Sequence, residues 1–129
     1  ITALAAAASR SAGRIAFVPH SGPFARGIHA TVQARLKQPL DTVAAIAALR
    51  RYYAGRPFVR VLDEPPRMKD VVTSNYAHLS AVADGHSIVV MSVIDNLVKG
   101  AAGGAMQWMN RLLGFAETDG LTAPAPGWT

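Results

Sequence analysis

The chain has 129 residues, half of them hydrophobic and 16% charged, which suits one domain with a real core and leaves too little for two. Its formal charge of +5 and pI near 10.2 admit nucleic acid, an anionic metabolite or a plain solvated surface. The basic residues are scattered, with Arg50-Arg51 the only adjacent pair, so a nucleic-acid partner, which needs a basic stripe with stacking aromatics, is not expected. Zero cysteines exclude disulfides, thiolate metal sites and a cysteine nucleophile within these residues, and no apolar run approaches the roughly 18 residues that cross a bilayer.

The sequence opens at Ile1 inside an Ala-rich pattern that predicts a helix over residues 2–12, with Gly13 as its stop. The run Ile1 to Ala8 lacks the basic leader of a signal peptide, and a chain that starts mid-pattern is expected to be a piece of something longer. Residues 14–18 read as a short strand entering the loop Pro19-His20-Ser21-Gly22-Pro23. From Ile28 the alternation is nearly perfect. Ile28, Ala30, Val32, Ala34 and Leu36 oppose His29, Thr31, Gln33 and Arg35, which predicts a strand with one buried and one wet face.

Pro39 punctuates the chain, and Asp41 is placed to cap a helix that carries Val43, Ile46 and Ala47, with Arg50 and Arg51 in its last turn, where the helix dipole favours cations. Gly55 and Pro57 end it. Residues 58–62 form a strand stopped by Glu64-Pro65-Pro66. Residues 75–83 alternate again, Asp84-Gly85 signals a hairpin turn, and Ser87 to Ile94, apolar on both faces, belongs in the middle of a sheet. A helix follows over 96–113, with Gly114 just past its end. The expected architecture is a single α+β domain: a mixed, largely antiparallel sheet of about five strands with helices packed on one face.

Two segments carry chemistry. The central strand runs straight into a helix whose first turns hold Gly100, Gly103 and Gly104, each costing about 1 kcal/mol relative to alanine. Such glycines serve either tight helix packing or the close approach of a flat ligand. Lys99 lies near the positive helix end, where a nearby anion would relieve it. In the other segment, His20 and Arg26 bracket a Gly/Pro loop. They are either a loop cap and a surface cation or a site for an anionic substrate, since the planar fork of Arg suits carboxylate and phosphate. His29, His78 and His86 show no metal-ligand spacing and read as strand or turn residues.

The run Asp95-Asn96-Leu97-Val98-Lys99-Gly100-Ala101, leading into a glycine-rich helix, resembles the C-terminal signature of N-acetyl-gamma-glutamyl-phosphate reductases, although this chain has Gly104 where that family commonly has Gln. The stretch from Phe17 through Pro19-His20 and Arg26-Gly27 to Ile28 is similar to the family's Pro-His loop. Phe58-Val59-Arg60-Val61, Lys69-Asp70-Val71-Val72 and Ser74-Asn75-Tyr76 follow in the family's order, so the likeness covers most of the chain from Ile15 to Gly114. The resemblance implies an NADPH-dependent enzyme of arginine biosynthesis that reduces a small anionic acyl phosphate through a cysteine thioester. It implies that Asn96, Lys99 and Gly100 border the cofactor and that His20 and Arg26 bind substrate.

The family's cysteine, dinucleotide-binding fold and His-containing motif lie upstream of anything that matches here. Residues 1–129 would then be a sheet domain, inactive alone, whose helix over 96–114 contacts the missing dinucleotide-binding domain. The whole would be a cytoplasmic homo-oligomer, without membrane or nucleic-acid partner, and the sheet's apolar face could serve subunit pairing. The alternatives are a non-catalytic domain of the same fold and a related reductase with a different amino-acid substrate.

Overall fold

The computed structural model describes residues 15–127; the expected helix over 2–12 lies outside them. Four strands, β1 (Ile28–Arg35), β2 (Val59–Val61), β3 (Ala77–Asp84) and β4 (Ser87–Ile94), make one mixed sheet in the order β1-β4-β3-β2. β4 pairs antiparallel with both β1 and β3, and β2 pairs parallel with β3. The sequence predicts about five strands. The described residues contain four: Ile15 to Val18 run as exposed irregular chain and pair with neither edge of the sheet.

The hairpin between β3 and β4 turns on Gly85 and His86. Gly85 takes φ of 56° and His86 does not follow it to positive φ, the pattern of a type II′ loop whose twist matches the strands. Helix α1 (Thr42–Tyr52) starts where Asp41 accepts a bond from the Ala44 N–H at 2.7 Å, as its position predicts. It lies on β3 with Ala45 against Ala81 and Ala83, ringed by Leu40, Leu49, Ile88 and Val90. Alanines on both sides let helix and sheet approach closely. Thr42 Oγ1 also donates to the Ala83 carbonyl and accepts from its N–H, which satisfies the edge of β3 beyond the short β2.

α1 does not reach β1. Every residue of that strand is exposed, so the expectation of one buried and one wet face fails: Val32, on the apolar side, is 59% exposed. Alternation records which residues share a face and says nothing about whether another layer covers it.

After β4 the chain makes a π-helical turn over Val98–Ala102 before helix α2 (Gly103–Leu113) begins. Gly114 closes α2 in the left-handed conformation at φ 77°, as predicted. α2 is held mainly by the π-turn before it and the segment after it, where Asn110 Nδ2 donates to the Asp119 carbonyl at 3.0 Å. Helices on one face of the sheet therefore reduce, among the described residues, to α1. No helix there is long and apolar enough to cross a membrane.

Candidate functional site

Register decides which loops meet. Ile28 at the start of β1 and Ala77 at the start of β3 both face Ile94 at the end of β4. The loop before β1, the loop before β3 and the π-turn after β4 thus converge at one end of the sheet. Asp95 sits at their junction with 0% of its side chain exposed. Its Oδ1 accepts from Arg26 Nη2 at 2.9 Å, from Leu97 N at 2.8 Å and from Val98 N at 2.7 Å, and its Oδ2 accepts from Thr73 N at 2.7 Å. Burial pushes this carboxyl up, but the N–H groups of Val98 and Thr73, the Arg26 guanidinium and the Leu97 N–H together hold it below the usual range. Thr73 is held at φ 64° to make its contact, a conformation that costs a non-glycine residue on the order of 1 kcal/mol or more.

The next residue repeats the link. Asn96 Oδ1 accepts from the Gly27 N–H at 2.7 Å. Arg26-Gly27 therefore docks on Asp95-Asn96, neighbour against neighbour, across 69 positions of sequence. Gly27 adopts φ of 113°, and a Cβ there would lie 2.0 Å from the Met68 sulfur, so only glycine fits.

This clamp closes one side of a cleft of about 300 Å³ lined by His20, Ser21, Gly22, Phe24, Arg26, His29 and Asn96, among others. Of the residues singled out in the sequence, the structure brings His20, Arg26 and Asn96 together here. His20 is exposed, its Nδ1 within 3.1 Å of the Val18 carbonyl. Arg26 is about one-third exposed, and its Nε is buried without a partner among the described residues.

Lys99 and Gly100 lie in the adjoining π-turn, off the cleft lining. Gly100 is exposed, and a Cβ on it would stand 3.3 Å from the Asp95 carbonyl. The Lys99 ammonium turns inward over the Phe58 ring, 5.6 Å from its centroid, and donates to Gln107 Oε1. Burial lowers its pKa, partly offset by the charge of Glu117. The anion that relieves Lys99 is thus supplied within the chain. At Gly104 a Cβ would lie 2.8 Å from the Lys99 carbonyl, so glycine frees this crowded junction of a side chain.

The site also holds residues that sequence reasoning passed over. Asp95, rather than Asn96, is the hub. The signal was there in a carboxylate directly after a strand and before a helix, where it can take orphan N–H groups. Thr73 left no local signal. His29 reaches the cleft from β1, whereas His78 is buried on β3, its pKa lowered by burial and by the Arg60 charge. The His86 ring contacts the Leu36 carbonyl. Among the described residues no group of three or more metal-type side chains gathers.

The family model for the semialdehyde dehydrogenase dimerisation domain matches residues 1–96, which span all four strands and the Arg26–Asp95 clamp. The chain belongs to this family. Among its relatives are proteins named N-acetyl-gamma-glutamyl-phosphate reductase. One from Dehalococcoides mccartyi is 46% identical over 114 residues, 87% of this chain and 33% of the relative. One from Bradyrhizobium sp. is 45% identical over 120 residues, 92% of this chain and 36% of the relative. One from Symbiobacterium thermophilum is 46% identical over 116 residues, 87% and 33%. The chain therefore spans about a third of the length of the curated relatives it matches. What family membership adds to the geometry is a context: a sheet domain of dehydrogenases, with a polar cleft at one end and apolar surface left open on β1 and α2.

Proposed function

We propose that this chain is the sheet-domain part of an NADPH-dependent reductase of arginine biosynthesis that converts N-acetylglutamyl phosphate to its semialdehyde. The observation that carries the reading is the clamp of Arg26-Gly27 on Asp95-Asn96, which joins two of the family-like segments at the rim of one cleft. The names of the relatives supply the reaction class.

In this reading each residue has a defined task. Asn96 spends its Oδ1 on Gly27, and its amide hydrogens have no acceptor among the described residues. A directed amide donor beside a cleft fits the carboxamide of a nicotinamide ring. The dinucleotide, when bound, supplies hydride. Arg26 uses one Nη on Asp95 and offers its remaining fork to an anionic substrate, with His20 across the same cleft. The π-turn at Lys99 and Gly100 lies next to the cofactor through its backbone. The thiolate that would displace phosphate and form the thioester lies outside this sequence, which has no cysteine.

Two open surfaces complete the proposal. Trp108, Leu112, Leu113 and Phe115 on and after α2 are 58% to 80% exposed, and they are assigned to the dinucleotide-binding domain. Ile28 and Val32 on β1 are assigned to subunit pairing in a cytoplasmic homo-oligomer, in keeping with the family's description as a dimerisation domain.

In the full-length protein, Arg26→Lys should keep the ion pair with Asp95 while losing the fork. The specificity constant for the acyl phosphate should fall by about tenfold or more with NADPH affinity held, and Asn96→Ala should do the reverse. Steady-state kinetics with a separate cofactor titration checks both. Unchanged values for both variants would remove the cleft from the reaction.

A further inference from the structure

Lys99 engages a network that faces away from the cleft. Its ammonium donates to Gln107 Oε1, Asn75 Nδ2 donates to the same oxygen at 3.2 Å, and Gln107 Nε2 donates to Glu117 Oε1. An ammonium only donates and a carboxylate only accepts, so these two ends fix the Gln107 amide in a single orientation. That orientation in turn fixes Asn75. Asn75 Oδ1 is left buried with no partner among the described residues, 2.6 Å from where a Cβ on Gly103 would stand.

The spacing explains why the turn is wide. In a regular α-helix each residue rotates about 100°, so positions 99 and 107 would lie roughly 80° apart around the axis. A π-turn rotates less per residue. The i to i+5 bonds Gly100 N to Asp95 O and Ala102 N to Leu97 O, both 2.9 Å, bring Lys99 toward the stripe of Gln107. The side-chain bond and the wide turn therefore favour each other, in a conformation that is rare and mostly confined to single turns at helices.

We infer that Lys99 is a positioning residue: through Gln107 and Glu117 it holds the π-turn that follows Asn96, whose Gly100 N to Asp95 O bond closes around Asn96 at the cleft, and it does not touch the ligand. The inference rests on the reading that Asn96 borders the cofactor.

In the full-length protein, Lys99→Met should weaken NADPH binding on the order of tenfold, the loss of one charged hydrogen bond, and should speed hydrogen exchange of the amides over 98–104. Lys99→Arg, which keeps a donor, should restore both. Gln107→Leu should repeat the Met phenotype and serves if Lys99→Met does not fold. Unchanged exchange in Lys99→Met and Gln107→Leu overturns the inference. So does weak binding in Lys99→Met and Lys99→Arg with exchange unchanged, since the ammonium would then contact the cofactor itself. Asn96→Ala separates the two readings. If it binds NADPH normally, the cofactor reading falls, and the exchange rates alone decide whether Lys99 braces the turn.

Discussion

Helices α1 and α2 both have 11 residues, yet the chain finishes one and leaves the other open. α1 has its own side-chain cap and buries Ala45 and Ile46. α2 has no side-chain cap at its N-terminus and buries only Gly103 and Asn110, while Trp108, Leu112 and Leu113 stay exposed. The polar anchor of α2 lies a turn upstream, where Asp95 takes the N–H groups of Leu97 and Val98. α1 is thus secured by apolar packing, and α2 by one buried charge and a chain of polar side chains.

The largest effect should come from breaking that anchor. Asp95→Ala strands the Arg26 guanidinium and three backbone donors, and is expected to cost about 3–5 kcal/mol, read from chemical denaturation. Because the folded-state pKa of Asp95 is depressed, its contribution is complete above about pH 4 and is lost as pH falls through the lower, folded value. Asp95→Asn should accordingly flatten the acid limb of the stability profile.

A smaller effect, about 1 kcal/mol, is expected for Asp41→Ala, which uncaps α1 alone and should leave cofactor affinity untouched. The smallest belongs to the open helix. Leu112→Ser should change the stability of this chain by less than about 0.5 kcal/mol. In the full-length protein the same change should lower the melting temperature if α2 meets the dinucleotide-binding domain; an unchanged melt would return Leu112 to solvent. A last check needs no variant: the cysteine-free chain by itself should show no NADPH oxidation with N-acetylglutamyl phosphate above background.

What the sequence disclosed follows the range of the forces involved. The cap at Asp41, the turn at Gly85 and the stop at Gly114 are local preferences, and they were legible. So was the α+β class, since the strand periods survive in β1, β3 and β4. Arg26 and Asn96 emerged as candidate site residues through family likeness, but their being bound into one clamp depends on partners 69 positions away. The inward turn of Lys99 and the strained Thr73 depend on tertiary contacts in the same way, and no local pattern announces them. Of the strand expected over 14–18, the described residues 15–18 carry the pattern and stay unpaired, because an apolar pattern does not by itself select a pairing.

The clamp also settles a matter of folding fidelity. Along β1 the apolar face reads Ile28, Ala30, Val32, Ala34 against Ile94, Ser92, Val90, Ile88 of β4. Sliding β1 by two residues would keep every side chain on its own face and trade one small apolar contact for another, so the strand alone discriminates weakly between the two pairings. The slip would, however, carry Arg26 away from the buried carboxylate of Asp95 and pull Gly27 off Asn96. The ion pair therefore fixes the register from one end of β1, as the bonds of Leu36 N to the His86 carbonyl and Leu40 N to the Gly85 carbonyl fix it from the other.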